Sequence, residues 1–428
     1  MHPAALPSLV FADKQGNISD FSDLAMAGMS NGRFFQPRLD DLIPLPEGSE
    51  IFLLPDRLPV GCDRRTSEPL LLEENPFASD QGIQAVAAFM APAHTAVFNA
   101  AYQSKAKNST PLPLFAYTAV GWHDGRFWVA GFRSDNDIRQ DASQFDQRRI
   151  DHRTRAQLKQ YPDNRLIQHL GKCCLTYCCP AARNYFLGRW EAPLPTSPQC
   201  NANCVGCISL QPSGCCPSTQ ERLTFVPTGA EISELAIEHL KRAERPIVSF
   251  GQGCEGEPLL QANTIGKAIA EIRRVTRRGT INLNSNASLP EKVAALAEAG
   301  LDSLRVSLNS AQKKYYTPYY RPSGYTFADV KGSIRAMKDA GKFVSLNYFI
   351  QPGFTDSFGE FESLSMLVDE YSPDMIQLRN LNMDPEWYLR TINFPAADTA
   401  MGMHIYIENL QKRFPQLRYG YYNPPLVR

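Results

Sequence analysis

Three cysteines, Cys200, Cys204 and Cys207, carry the sharpest chemical signal in the chain. Spaced Cys200-x3-Cys204-x2-Cys207, their sulfurs can converge from one short loop on one metal centre. Soft thiolate donors select an iron–sulfur cluster or zinc over hard cations. On a four-iron cubane, three ligands leave the fourth iron without a local protein ligand, open to a bound molecule. The alternative is a zinc knuckle that borrows its fourth ligand from Cys215 or Cys216.

The other cysteines are also grouped. Ten of the eleven lie between Cys173 and Cys254, and only Cys62 stands apart. In a reducing compartment such density points to metal rather than to disulfides. Cys173-Cys174 and Cys178-Cys179 bracket a short turn, and Cys215-Cys216 follows the first loop. Adjacent cysteines make strained disulfides, so pairing within a doublet explains little. One thiolate from each doublet gives three ligands, and a second from any doublet, or His169, makes four. Such a second site would hold an auxiliary iron–sulfur cluster, or a single iron or zinc tying the N-terminal part to the rest. The competing reading is a set of buried, unmetallated thiols that pack as small hydrophobes. Cys254, at the far edge, reads as a loner.

The elements that position these residues alternate between strand and helix from about residue 220. Residues 246–250, 280–284, 303–308, 343–349 and 375–379 read as strands. Helices between them start at Thr228/Glu231, Ser288/Glu291 and Thr326/Asp329, each pair spaced as a capping box. Ile265, Ile269, Ile272 and Val275 mark one more, and Gly279, Gly300 and Gly341 close three of these helices. Such alternation builds a parallel sheet. One strand face is polar: Asn282, Asn284 and Asn286; Arg305, Ser307 and Asn309; Ser345 and Asn347; Gln377 and Arg379. The other parity is Ile, Leu and Val. A polar inner face is costly to bury empty, so it should surround a polar ligand. The reading is an α/β fold: a partial (β/α)6 TIM-like barrel, open on one side, with a ligand inside.

Residues 1–190 lack this rhythm and read as a separate α+β domain, Cys-rich at its end. Within it, 114–122 and 126–132 flank a His123-Asp124-Gly125 hairpin turn, and 50–54 reads as a strand. The barrel then takes 191–415 and a tail 416–428. The most apolar stretch, 85–102, is broken by Pro92, His94 and Asn99 and reads as a core helix and loop rather than a membrane span.

Beyond the second barrel strand lies Gly253-Cys254-Glu255-Gly256-Glu257-Pro258. Together with the C-x3-C-x2-C loop, it resembles the radical S-adenosylmethionine (SAM) superfamily over residues 190–415. Glu255 departs from that family's usual first glycine. The resemblance implies that Cys200, Cys204 and Cys207 hold a [4Fe–4S] cluster whose open iron binds SAM, with Gly256 and Glu257 at the SAM ammonium. Asn284, Ser307 and Asn309, Asn347 and Arg321 sit where further cofactor contacts are expected, with Arg321 toward the SAM carboxylate. The implied chemistry is reductive cleavage of SAM to a 5′-deoxyadenosyl radical that abstracts hydrogen. It also implies a flavodoxin- or ferredoxin-like electron donor and leaves the substrate open, with peptide or protein modification or enzyme activation favoured. The rival is a zinc-stabilised binding module on an α/β scaffold without radical chemistry; Glu257 and the polar barrel lining argue against it.

Lys+Arg and Asp+Glu both number 44, so charge gives no signal for nucleic acid or an anionic membrane. Residues 1–17 lack a basic stretch followed by an apolar core, and a cytoplasmic protein is expected.

Overall fold

The computed structural model describes residues 3–78, 81–106, 109–211, 216–396 and 399–426. Residues 8–133 are built of antiparallel strands, most of them in one sheet. The hairpin at Asp124–Gly125 joins strands Val120–His123 and Arg126–Arg133, and both turn residues take positive φ, 50° and 73°. Among the described residues the N-terminal α-helices are confined to the next stretch: α1 (Gln147–Gln160), α2 (Arg165–Leu175) and α3 (Pro180–Leu187). The expected core helix at 85–102 is instead strand: Ile83–Phe89 pairs with Ser8–Asp13 and Glu50–Leu54. Its small apolar residues suit a helix, but both faces of this strand are covered, and burial overrides that propensity.

From Arg189 the chain forms the barrel. Among the described residues its sheet has seven parallel strands in chain order: Arg189–Leu194, Glu244–Phe250, Thr280–Ser285, Ser303–Leu308, Phe343–Ile350, Met375–Asn380 and Arg418–Gly420. The seventh falls in the segment expected as tail. Between strands run α4 (Gly229–Arg242), α5 (Ala262–Val275), α6 (Pro290–Ala299), α7 (Lys313–Tyr320), α8 (Phe327–Asp339) and α9 (Phe358–Tyr371). The capping boxes at Thr228/Glu231 and Thr326/Asp329 form as expected. The one at Ser288/Glu291 does not. There α6 begins at Pro290, whose fixed φ suits the first helical position, and Ser288 accepts from Asn201 instead.

Strand parity divides the sheet as its sequence suggests. Ile281, Leu283, Leu304, Val306, Leu346 and Ile376 are fully buried in the main core. The other face carries a polar ladder: Asn282 Nδ2 donates to Ser249 Oγ at 3.2 Å and Ser303 Oγ to Asn282 Oδ1 at 2.7 Å. Arg305 stands beside Ser345 in register, and Asn347 beside Gln377.

The N-terminal sheet docks along the sixth strand. Asn380 Nδ2 donates to His94 O at 3.0 Å and Asn380 Oδ1 accepts from Ala96 N at 2.9 Å. A buried ion pair, Arg57–Asp384 at 3.0 Å, holds the loop beyond that strand. Opposite the cysteine loop the barrel is plugged by the C-terminal segment. Asn423 reaches in to Glu191, Asn284 and Gln377, and Arg139 holds its carbonyl.

Glu360 on α9 fastens the loop after the fourth strand. Its carboxylate accepts from Ala311 N (2.6 Å), Ser310 Oγ (2.8 Å), Gln312 Nε2 (2.9 Å) and Tyr348 Oη, and the residue is wholly buried. Each orphaned buried donor costs about 1–3 kcal/mol. Glu360→Ala should therefore lower stability by several kcal/mol and Glu360→Gln by roughly 1–3 kcal/mol, read from urea denaturation midpoints. Two variants as stable as the parent would show that this network fixes nothing.

Candidate functional site

The cysteine loop leaves the carboxyl end of the first barrel strand, and the Glu257 loop leaves the carboxyl end of the second. Their relative position is set by backbone. Gly256 N donates to Ser197 O at 2.6 Å and Glu257 N to Gln199 O at 2.7 Å. The approach is so close that a Cβ on Gly256 would lie 2.0 Å from Gln199 O. Only glycine fits there.

Glu255, the departure from the expected first glycine, locks this pairing. Its buried carboxylate accepts from Thr196 N (2.7 Å) and Ser197 N (2.9 Å) on one side, and from Gly251 N and Gln252 N (2.8 Å each) on the other. Burial pushes its pKa up to about 7 against those donors. The sequence gives no sign of this role, because a loop carboxylate reads as solvated until its partners are seen.

Cys200, Cys204 and Cys207 are half-buried on an irregular loop. Asn203 N donates to Tyr320 O and Val205 N to Tyr319 O, both at 3.0 Å, so α7 backs the loop. The tyrosines of α7 are buried against this loop and the barrel. Burial pushes the Cys200 thiol up to about 11 and Cys204 well above its ordinary range. Buried thiols of this kind stay protonated unless a cation replaces the protons, the condition that metal binding meets. Arg222 Nη2 donates to Cys207 Sγ at 3.3 Å. Nothing in the sequence singles out that arginine, which lies in a segment without regular structure.

Glu257 is 3% exposed and pushed up to about 7 by burial. It accepts from Ser285 Oγ (2.5 Å), Asn286 N (2.9 Å) and Leu259 N (3.0 Å). An ionised carboxylate offers about four acceptor positions, so one is left for a further donor. Asn284 is satisfied within the structure, donating to Gly251 O at 2.8 Å and accepting from Asn282 and Asn423. Ser307 is half-buried on the polar face. Asn309 donates to Tyr315 O and Tyr388 Oη, while its buried Oδ1 has no partner among the described residues. Asn347 Oδ1 and Arg305 Nε are orphaned in the same way. Orphaned polar atoms on one barrel face mark a place for a polar ligand. Arg321 differs: it is exposed in the αL cap of α7.

The residues present therefore fit a cluster and a polar cofactor. They supply three thiols on one loop, a carboxylate with spare capacity, a glycine with no room for a side chain, and unsatisfied amide oxygens.

Of the cysteines assigned to a second site, Cys173 alone joins a group among the described residues. Cys173, His169 and Cys254 bring their ligand atoms within 4.8 Å of one another. Cys174 is buried and faces Thr154 at 3.4 Å, and Cys178 is exposed. Cys216 is buried in the main core, and Cys215 lies outside the described residues. Cys179 caps α3, and its N donates to Cys173 O at 3.1 Å. Cys254, which sequence spacing leaves alone, is brought in by the turn after the second barrel strand.

The radical SAM superfamily pattern matches residues 194–364. No curated protein matches the sequence significantly. Among solved structures, Streptococcus suis SuiB bound to precursor peptide SuiA is 15% identical, with a TM-score of 0.37 over 55% of this chain and 52% of that one. This chain thus spans about half the length of SuiB. Methylornithine synthase (PylB) is 17% identical, with a TM-score of 0.38 over 56% of this chain and 68% of that one. The FeFe-hydrogenase maturase HydG from Carboxydothermus hydrogenoformans is 14% identical, with a TM-score of 0.36 over 63% and 70%. No helix among the described residues is long and apolar enough to cross a membrane. The matched residues, 194–364, take in both the cysteine loop and the glutamate loop, and over that stretch the chain matches the radical SAM superfamily.

Proposed function

We propose that this chain is an enzyme that holds a [4Fe–4S] cluster on Cys200, Cys204 and Cys207, binds SAM beside it, and takes a hydrogen atom from its substrate. The observation that carries the reading is the two-bond backbone pairing that sets Glu257 beside the residue preceding Cys200. When bound, cluster and SAM supply reductive cleavage of a carbon–sulfur bond and a carbon radical that abstracts hydrogen. The protein's own part is positioning and shielding. Glu257 offers a charge-assisted acceptor to the SAM ammonium. Asn309 and Asn347 offer orphaned amide oxygens to its polar groups, with Ser307 and Asn284 alongside. Arg222 donates to the Cys207 sulfur. Arg321, at the mouth, is assigned to the SAM carboxylate.

The substrate is assigned to the class of peptides or proteins, by modification or by enzyme activation. Arg305 and Arg379, close enough inside the barrel for Arg379 to depress the Arg305 pKa after burial has lowered it, suit an anionic group on it. A flavodoxin- or ferredoxin-like protein is the expected electron donor.

Replacing Cys200, Cys204 and Cys207 together by Ala should remove most cluster iron and abolish anaerobic, reductant-driven formation of 5′-deoxyadenosine. Glu257→Gln should keep the iron but weaken SAM binding by about tenfold or more, as for loss of a charge-assisted bond. A triple variant that cleaves SAM at the parent rate would sink the assignment.

The raised Glu257 pKa also predicts a pH effect. Burial lifts it from the ordinary 4.5 to about 7, so the folded protein holds this proton more tightly than the unfolded chain. The stability it contributes is full below the unfolded value and lost as pH rises through about 7. A bound ammonium pairs with the ionised form and offsets that loss. SAM should therefore raise the melting temperature more at about pH 8 than at about pH 6, and Glu257→Gln should erase the difference. Equal shifts at both values in the parent would place the amine elsewhere.

A further inference from the structure

We infer that the chain carries a second, separate metal site: a single divalent ion of the zinc class bound by His169, Cys173 and Cys254. The site joins parts of the chain far apart in sequence. His169 and Cys173 lie one turn apart on α2, where residues four apart share a face. Cys254 comes from the loop after the second barrel strand, next to Glu255.

The three ligand atoms lie within 4.8 Å of one another, and Cys173 Sγ is 3.5 Å from His169 Nε2. A tetrahedral zinc with bonds of about 2.3 Å to sulfur and 2.0–2.1 Å to nitrogen puts neighbouring ligand atoms about 3.5–3.8 Å apart. The Cys173–His169 pair has that spacing, and the Cys254 sulfur lies within 4.8 Å of both. A cubane would hold each sulfur on a different iron and spread the ligands wider. Two thiols and an imidazole are a borderline-soft set, wrong for calcium or magnesium and suited to zinc. Cys173 and Cys254 are 2% and 6% exposed, so an ion here is shielded from solvent. Cys179, whose amide is bonded to the Cys173 carbonyl, lies nearby but outside this group of ligand atoms.

The site works as a staple. It ties α2 to the loop that carries Glu255 and Glu257, whose pairing with the cysteine loop positions the candidate active site. Two interactions flank it: Lys172–Glu221 at 2.6 Å, and Leu223 N to Cys254 O at 2.7 Å. This inference does not rest on the proposed function, since its metal is read in protein lacking Cys200, Cys204 and Cys207.

The test is zinc, iron and sulfide analysis of the full chain carrying Cys200→Ala, Cys204→Ala and Cys207→Ala. About one zinc per chain without sulfide is expected, and adding Cys173→Ser and Cys254→Ser should remove it. Cobalt exchanged into the zinc-loaded protein should give the visible bands of a tetrahedral thiolate site. Because the five-fold variant could misfold, His169→Asn alone, which spares both buried thiols, should speed zinc loss to a chelator. Cys178→Ser, at an exposed position outside the site, should leave the zinc in place. Chelation should raise hydrogen exchange in residues 165–175 and 251–257 together. Three results overturn the inference: a folded, metal-free triple variant with Cys173 and Cys254 as thiols; the same protein with a Cys173–Cys254 disulfide by mass spectrometry; or iron with stoichiometric sulfide at these residues.

Discussion

The geometry of the site depends on one buried carboxylate. Glu255 receives backbone N–H groups from two segments that strand pairing brings side by side, the end of the first barrel strand and the turn after the second. With those four donors in place, Gly256 and Glu257 run alongside residues 197–199 as a short ladder. A charged hydrogen-bond acceptor in a dry setting is among the stronger single interactions available, and here it is used on backbone rather than on a ligand. The cysteine loop and the Glu257 loop are therefore fastened to each other. A glycine at position 255 could not do this. The departure from the usual family pattern thus replaces a conformational freedom with an explicit fastening.

The barrel lining follows a related logic. Many of its polar residues satisfy one another: Asn284 accepts from Asn282 and Asn423, and Asn282 bonds Ser249 and Ser303. Beside them Asn309 Oδ1, Asn347 Oδ1 and Arg305 Nε are left without partners among the described residues. A place for a polar ligand on this face fits those orphaned atoms. It accounts for a polar interior that would be an expensive way to build a mere scaffold.

The strands and their facing were legible in sequence because period-two alternation is a local signal, and Asn284, Arg305, Asn347 and Gln377 fell on the parity assigned to them. The helix starts at Thr228 and Thr326 were legible for the same reason, since a capping box is local. Ser288 was misread because a Pro two residues on sets the helix start more strongly than a cap. The stretch 85–102 was misread because the propensity of its small residues was outweighed by burial in a sheet whose partners lie far along the chain. The roles of Glu255 and Arg222, and the meeting of Cys254 with His169 and Cys173, were not legible at all. Each depends on contacts between segments more than a dozen residues apart, and spacing along one segment carries no trace of them.

What surrounds the barrel explains how an open half-barrel can enclose reactive chemistry. On one edge, α1 to α3 pack beside the first strand, and His239 of α4 bonds Trp190 O at 2.8 Å. On the other, the N-terminal sheet runs along the sixth strand, and the buried Arg57–Asp384 pair fixes the loop above it. Asn31 reaches from that sheet to Pro395 O at 3.1 Å, and a Cβ on Gly353 would strike the Asn31 backbone at 2.3 Å. The far end is filled by Asn423 and the residues around it. With both edges and that end covered, the approach left to the orphaned polar atoms is from the carboxyl ends of the strands, past the cysteine and glutamate loops. A radical formed there would meet little water and few hydrogens other than those of whatever the loops admit. The N-terminal half thus walls the barrel through its buried contacts to the loops after the fifth and sixth strands.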